Sequence, residues 1–277
     1  IFVVDSERKF VGAVEFGKIL HSHQNEELDK LITRDFPYVT DHAHQSNVAK
    51  IALVRGAENI PVIDQNGHFI GIVDATQILK ILHEEHVEEL MKFSGILSSE
   101  GFLDVFKARF VEIVKSRLPW LVFGLVGGMA ATLIVERFEM ELQKEIALAF
   151  FIPVIVYMND AVGTQSETIF VRLASLEKVD LVKYLVKEAK VAVSIGLVLS
   201  SLISVFIIAW LADLKIAFIV GSAMFSGIIS SIFIATLIPW YLQKKGKDPA
   251  IGSGPFTTII QDLLSIVIYF SIASAIL

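Results

Sequence analysis

The chain has 277 residues, of which 54% are hydrophobic and 19% are charged, and its formal net charge is −6. It contains no cysteine, which excludes disulfides and thiolate metal sites. The apolar residues are concentrated after Leu118, where uncharged runs are longer than a soluble domain tolerates and favour a bilayer. Because local charge sets the topology of a membrane protein, the net charge says little about partners.

The N-terminal part contains an internal repeat, since residues 2–20 align without gaps to residues 61–79. Each copy has the pattern of a strand, a polar turn, a second strand that ends after a glycine, and the start of a helix. The identical pairs are Val3/Val62, Asp5/Asp64, Phe10/Phe69, Gly12/Gly71, Val14/Val73, Ile19/Ile78 and Leu20/Leu79. The pattern resembles a CBS-domain pair, which implies that residues 1–20 are the C-terminal part of a first copy and residues 21–82 a second copy.

Modules of this kind often bind nucleotides, and a Thr-x-x-Asp segment after the glycine then holds the ribose. The matching positions here are Glu15 and Lys18 in the first copy, and Asp74 and Gln77 in the second. Neither copy keeps the pair, which argues against ATP as a ligand. A packing and dimerisation module that binds no ligand is the alternative.

Residues 76–95 form the next element, with apolar residues at helical spacing. Four carboxylates crowd one face of this predicted connecting helix: Glu84, Glu85, Glu88 and Glu89. Two interpretations stay open, a solvated face of an ordinary helix and a regulatory surface that binds hydrated Mg²⁺ through carboxylate oxygens. Residues 96–117 then form an amphipathic linker to the membrane.

Residues 118–277 contain five predicted membrane spans. Two of them are interrupted only by single acids. The spans are Leu118–Val135, Ile146–Val171, Val191–Ala212, Ile216–Gln243 and Pro249–Leu277. Lys and Arg are concentrated before span one, between spans two and three, and before span five, which predicts a cytoplasmic N-terminal domain and an extracytoplasmic C-terminus.

Asp262 lies near the middle of span five, with no Lys or Arg close to it in sequence. A charge near the bilayer centre costs roughly 2.5–3.5 kcal/mol on insertion scales, so such a residue is expected to face a cavity or a partner. The glycines and proline of residues 252–258 are expected to interrupt the helix and to free carbonyl oxygens, which are ligands for hard cations.

Span two is expected to repeat this design, with Pro153 followed by the polar segment 159–168. At helical pitch Asp160, Thr164 and Glu167 share one face. They are predicted to line a pore. The alternative for the two acids is a position near the membrane interface or a pair with Arg172.

The motifs FIPVIVYMNDAVGTQSETIFVR and DPAIGSGPFTTIIQDLLSIVIY, together with the repeat, the acidic helix and five spans, resemble the MgtE family of Mg²⁺ transporters and channels. The resemblance implies an α-helical membrane protein of five transmembrane helices with an N-terminal α+β CBS-type domain. It further implies a homodimer in a cell membrane, with a pore on the two-fold axis that conducts largely hydrated Mg²⁺, and with Mg²⁺ also as the regulatory ligand.

The resemblance and the polar residues together give three sets of expected site residues. The transported metal is assigned to Asp262, Asp160, Asn159 and Thr258. The pore lining is assigned to Gly163, Thr164, Gln165, Glu167, Ser253, Gly254 and Pro255. The regulatory metal is assigned to Glu84, Glu85, Glu88, Glu89 and Asp74.

One departure from the family leaves selectivity open. Many members read Gly-Gly-Asn-Ala-Gly where this chain reads Asn-Asp-Ala-Val-Gly over residues 159–163. The added acid, Asp160, keeps Mn²⁺ and Co²⁺ as alternative substrates, and an ion-coupled transporter as an alternative to a channel. A membrane sensor that does not transport is a third hypothesis. An enzyme is not expected, because no phosphate loop, nucleophile elbow or metal-hydrolase pattern is present.

Overall fold

The structure is a computed structural model that describes residues 1–23, 25–97, 108–176, 179–252 and 254–277. It divides into two compact units, Ile1–Glu88 and Glu89–Leu277. Part of the predicted linker 96–117 lies outside the described residues.

The first unit is a small α+β domain. Its two sheets have the strand orders β1-β2 and β3-β4-β5, with β3 parallel to β4 and the other pairs antiparallel. Its elements are β1 (Phe2–Val4), β2 (Phe10–Ala13), α1 (Phe16–His21), α2 (Leu28–Leu31), β3 (Val39–Thr40), α3 (Gln45–Arg55), β4 (Ile60–Ile63), β5 (Phe69–Val73) and the start of α4 (Ala75–Phe93).

The repeat predicted from the sequence appears as two matching hairpins, β1-β2 and β4-β5, each followed by a helix. The aspartate that the two copies share makes the same hydrogen bonds in both turns. Asp5 Oδ1 accepts the backbone N–H groups of residues 7 and 9, and Asp64 Oδ1 accepts those of residues 66 and 68. An aspartate that binds the backbone two residues on is a common way to fix a turn, which explains its identity in the two copies.

The second unit contains the long helices. Among the described residues, five helices are long and apolar enough to cross a membrane, which confirms the predicted number of spans. These are α5 (Phe110–Arg137), α7 (Ala147–Leu176), α8 (Leu181–Leu211), α9 (Leu214–Lys244) and α10 (Pro255–Ile276); the short α6 (Glu139–Lys144) and a 3₁₀ helix at Pro249–Gly252 complete the unit.

The expected interruption of span two is wrong, because α7 runs unbroken through Pro153 and the polar segment. Proline removes one helical hydrogen bond, but membrane helices tolerate this loss when their neighbours accommodate it. The fifth span is interrupted as expected. Gly254 has φ +71° and ψ −126°, a conformation that glycine adopts more readily than other residues, and α10 starts directly after it.

Helix α9 is the centre of the second unit and packs against α7, α8 and α10. Its glycines permit this close approach. A Cβ at Gly221 would meet the Ser204 side chain of α8, and a Cβ at Gly227 would meet the Asn159 amide of α7. Small residues at helix crossings are typical of membrane proteins, where close packing replaces the hydrophobic effect as the source of association. The packing at Gly227 brings the polar segment of α7 into the interior.

Candidate cation site between α7 and α10

Asn159 of α7 is completely buried, and its position is fixed from two sides. Its Nδ2 donates a hydrogen bond of 2.9 Å to Ser265 Oγ on α10, and its amide lies against Gly227 of α9. Its Oδ1 is also buried and has no hydrogen-bond partner among the described residues. The amide therefore presents a free acceptor at the interface between α7 and α10.

Gln261 of α10 is only 1% exposed and lies one helical turn before Ser265. Its Nε2 donates to the Ser231 carbonyl of α9 at 3.4 Å, while its Oε1 lacks a partner in the described part of the chain. Gly163 of α7 makes room for this side chain, since a Cβ at residue 163 would collide with it. Asn159 and Gln261 thus each engage their donor and leave an acceptor free.

Asp160 and Asp262 bring two carboxylates to the same interface. The charge of Asp160 acts on Asp262 of α10 and on Glu167 of α7, although within the described ranges the three acids do not converge on one point. Asp160 and Asp262 are half-buried, and each has one buried oxygen, Oδ1, without a hydrogen-bond partner among the residues described. Two like charges in a partly buried site oppose one another unless a cation or a proton compensates.

Together these side chains form a polar seam, which we define as Asn159, Asp160, Glu167, Gln261 and Asp262. Each member has one buried oxygen that accepts no hydrogen bond within the described residues. Buried polar atoms normally find a partner, because leaving one unpaired costs about 1–3 kcal/mol. An all-oxygen set of carboxylate and amide ligands fits a hard divalent cation such as Mg²⁺.

Glu167 occupies the end of the seam nearest the start of α10 and is 1% exposed. Its Oε2 accepts the backbone N–H of Gly254 at 3.3 Å, and its carboxylate also accepts a hydrogen bond from the Thr257 side chain. The sequence placed Glu167 on the same face as Asp160, and both are part of the seam. In this chain, however, Glu167 is enclosed between helices instead of lying on an open surface.

Comparison with known proteins identifies the domains of the chain. Residues 152–272 match the family model "MgtE: Divalent cation transporter", and residues 28–84 match the CBS domain. The chain carries an MgtE domain and a CBS domain. The matched range of the MgtE domain includes the whole polar seam.

Alignments that cover nearly all of this chain give curated relatives of one name. The magnesium transporter MgtE of Bacillus subtilis is 30% identical over 278 residues, covering 99% of this chain and 61% of that protein. The proteins of the same name from Enterococcus faecalis and Thermus thermophilus are 28% and 26% identical and cover 99% and 100% of this chain. The chain spans 60–62% of the length of these relatives.

Four of the remaining residues predicted for the pathway lie on the same two helices, Thr164 and Gln165 on α7 and Pro255 and Thr258 on α10. Thr258 is half-buried, and its N–H donates to the Gly254 carbonyl at 3.0 Å, so this carbonyl is used by the first turn of α10. Thr164 is half-buried and Gln165 is exposed. Pro255 is the first residue of α10. The predicted residue Ser253 lies outside the described residues.

Three of the predicted regulatory acids on α4 have separate partners. Glu84 lies 3.8 Å from Lys80, Glu85 accepts a 3.0 Å hydrogen bond from Gln45, and Glu89 lies 3.7 Å from Arg172. Glu88 belongs to the same helix and is half-buried.

Asp74 accepts the Gln77 N–H at 2.8 Å and so caps the start of α4. Within the described ranges no three acidic or histidine side chains converge as a metal site. The regulatory set therefore stays a prediction.

Sequence reasoning missed Gln261, Ser265 and Ser231, which hold the seam together. A signal for two of them was present, because Thr257, Gln261 and Ser265 recur every four residues in a mostly apolar span. That spacing places three polar side chains on one face of α10, the face that meets α7. Ser231 could not be found in this way, since it contributes its backbone carbonyl.

Proposed function

We propose that the protein transports Mg²⁺ across a membrane through a pathway along α7 and α10, with Asp262 and Asp160 as the central ligands. The observation that carries the proposal is the polar seam, whose five oxygens accept no hydrogen bond from any described residue and lie inside an MgtE domain. The relatives that align over this whole chain are named magnesium transporters.

The donor set favours an ion that keeps part of its water shell. Mg²⁺ binds oxygen, gives up its water reluctantly and is usually held by one or two carboxylates. Asp160 and Asp262 supply that number, and Asn159 and Gln261 add neutral oxygens that can accept hydrogen bonds from metal-bound water. The carboxylates also repel anions, which is the usual basis of cation selectivity.

The pathway is proposed to lie on the two-fold axis of a homodimer, so that two copies of Asp262 face one another. Only half of the ligands of such a site come from one chain. This accounts for the half-buried state of Asp160 and Asp262 in a single protomer. Gly163, Thr164, Gln165 and the α10 start at Gly254 and Pro255 are the proposed lining, and the first unit is proposed to be cytoplasmic.

Cytosolic Mg²⁺ is proposed to regulate the pathway through the CBS domain and α4. The α4 acids have the ligand chemistry for this role. Their separate partners in one chain imply that regulatory Mg²⁺ would compete with Lys80, Gln45 and Arg172, or use a second subunit.

Mn²⁺ or Co²⁺ is a second candidate substrate. The presence of Asp160 as a second carboxylate beside Asp262 favours this wider selectivity. A second carboxylate strengthens the attraction for any divalent cation and lowers the demand for an intact water shell. Measuring the uptake of Mn²⁺ and of Mg²⁺ in the same vesicles decides whether the protein transports Mg²⁺ alone or several divalent cations.

The test is Mg²⁺ flux into proteoliposomes with Asp262→Asn, which keeps the shape of the side chain and removes its charge. Asp213→Asn is the matched control, because Asp213 caps α9 and asparagine caps a helix equally well. We expect Asp262→Asn to lower flux at least about tenfold, corresponding to ~1.4 kcal/mol, and Asp213→Asn to leave it unchanged. Wild-type flux in Asp262→Asn would overturn the assignment.

A further inference from the structure

A buried carboxylate stands at the N-terminus of the helix that carries Asp262. Glu167 of α7 is 1% exposed, and it accepts hydrogen bonds from the Gly254 N–H and the Thr257 side chain at the start of α10. We propose that Glu167 is a positioning residue, which ties the first turn of α10 to α7 and so sets Asp262 opposite Asp160. The consequence for ion binding rests on the proposed function, whereas the positioning itself does not.

The start of α10 needs a partner from outside the helix. The first turn of any helix leaves N–H groups without an acceptor, and its positive dipole end favours a carboxylate. Thr257 is completely buried, so its side chain has no access to bulk water. Glu167 supplies an acceptor at this point from the neighbouring helix.

Backbone also packs closely against the same turn. A Cβ at Gly254 would meet the backbone carbonyl of Phe93, and a Cβ at Gly95 would lie 2.5 Å from the Pro255 ring. The start of α10 is therefore in contact with the segment around Phe93 and Gly95 as well as with Glu167. Without the Glu167 acceptor, the turn loses the two hydrogen bonds that Glu167 accepts, while the contact with Phe93 and Gly95 remains.

A shift at this turn reaches Asp262 through the helix. Thr257 and Asp262 are five residues apart on an unbroken helix, which corresponds to about 7.5 Å along its axis. Sites that bind ions or substrates must hold their ligands within about 0.5 Å of the productive geometry. A small movement of the first turn is therefore enough to separate Asp262 from Asp160.

The hydrogen bonds also indicate which property of Glu167 matters. Oε2 is the acceptor for Gly254, and Oε1 has no hydrogen-bond partner in the described residues. Glutamine retains one carbonyl oxygen that can accept the same bond, whereas alanine retains none. Positioning therefore predicts that Glu167→Gln keeps most of the function of Glu167 and that Glu167→Ala loses it.

The experiment uses the absence of cysteine from the chain. A Cβ at Gly127 of α5 would lie 3.4 Å from Ile259 Cβ of α10, close to the separation of a disulfide. The pair Gly127→Cys and Ile259→Cys therefore reports the position of the first turns of α10. Its rate of disulfide formation is measured in the full chain in proteoliposomes, with wild-type Glu167, Glu167→Gln and Glu167→Ala.

Glu188→Ala is the matched control, because Glu188 is a buried glutamate on α8, which packs against α9. We expect slower disulfide formation in Glu167→Ala and an unchanged rate in Glu167→Gln and Glu188→Ala. If Glu167→Ala does not fold, Thr257→Val removes one of the two donors and is expected to slow the reaction less. An unchanged rate in Glu167→Ala or Thr257→Val, or equal slowing in Glu188→Ala, overturns the proposal.

A second measurement separates this inference from the proposed function. In the cysteine-free protein, Glu167→Ala is expected to raise the Mg²⁺ concentration for half-maximal flux about tenfold, with a smaller change in maximal flux. Glu167→Gln should restore the wild-type value. Wild-type protein without Mg²⁺ flux, combined with slowed disulfide formation in Glu167→Ala, would sink the transport proposal and leave the positioning role standing.

Discussion

Asn159 on α7 and Ser265 on α10 are joined by a buried hydrogen bond of 2.9 Å from Nδ2 to Oγ. The bond fixes the orientation of the Asn159 amide, because Nδ2 is engaged and Oδ1 must then point elsewhere. That Oδ1 has no hydrogen-bond partner among the described residues. This interhelical bond thus joins α7 to α10 and at the same time leaves the Oδ1 acceptor of Asn159 free at their interface.

The first prediction concerns Gly227, which lies against the Asn159 amide. Gly227→Ala introduces a methyl group where the amide now is, and overpacking of a buried site typically costs about 1–3 kcal/mol. We expect a lower temperature of thermal unfolding and weaker Mg²⁺ binding. Gly128→Ala on α5 is the control, since a Cβ there meets nothing within 4 Å and alanine favours a helix by up to about 1 kcal/mol. Equal stability of both variants would contradict the packing.

The second prediction compares two glycines with positive φ. Gly254 and Gly246 have φ of +71° and +70°, but a Cβ at Gly254 meets the Phe93 carbonyl and a Cβ at Gly246 meets nothing within 4 Å. Gly246→Ala should therefore show only the backbone cost of about 1–2 kcal/mol. Gly254→Ala should lose clearly more stability in thermal unfolding, because the Phe93 carbonyl cannot easily move aside and because the ψ of −126° at Gly254 is unfavourable for alanine. A similar loss of stability in both variants would mean that the contact with Phe93 does not add to the cost of the substitution.

The sequence was sufficient for features that depend on local pattern. Five spans could be predicted because each is a long run with few or no charges, and a bilayer requires such runs. The two hairpins could be predicted because Asp5 and Asp64 recur in matching turns, and the structure gives each of them the same two backbone hydrogen bonds. Neither feature requires knowledge of which helices pack together.

Features that depend on packing could not be predicted. Pro153 reads as a helix breaker in sequence, yet α7 continues through it. The acids of α4 read as one charged face, but Glu84 pairs within its helix, whereas Glu85 and Glu89 have partners far away in sequence. The role of Ser231 could not be predicted, because every residue has a backbone carbonyl and the sequence does not indicate which one accepts a hydrogen bond from Gln261. In each case a neighbouring element decides the outcome.

The third prediction concerns the Asp64 turn in the first unit. Hydrogen bonds from the side chain and backbone of His68 hold the pKa of Asp64 below its usual value. A carboxyl with a lowered pKa contributes stability that is present above its unfolded pKa of about 3.9 and is lost as the pH falls through the folded value. Asp64→Ala should therefore differ from wild type in thermal unfolding at neutral pH, and the difference should shrink as the pH falls through the lowered pKa of Asp64. A difference that does not change on acidification would contradict this role.

The fourth prediction concerns the ion pair between Lys92 and Asp248, whose Nζ and Oδ2 are 2.8 Å apart. Both side chains are about one-third exposed, at 29% and 34%, so their coupling should be modest, about 1 kcal/mol or less. Lys92→Glu and Asp248→Lys should each lower the unfolding temperature, and the double variant should recover part of the loss. Strict additivity of the two losses would show that the pair contributes nothing to stability.

The fifth prediction separates the two effects of Asp160, whose charge acts on Asp262 across the α7–α10 interface. Without a cation the two carboxylates repel each other, so Asp160→Asn should raise the unfolding temperature in EDTA. Mg²⁺ at 100 times its Kd should stabilise the wild-type protein by about 2.7 kcal/mol. Asp160→Asn removes one ligand of the ion, so Mg²⁺ should stabilise this variant by less.

A higher unfolding temperature in EDTA, combined with a smaller stabilisation by Mg²⁺, is the mark of a cation site, and Glu188→Gln on α8 should show neither effect. A purely structural Asp160 would lose stability in both buffers alike.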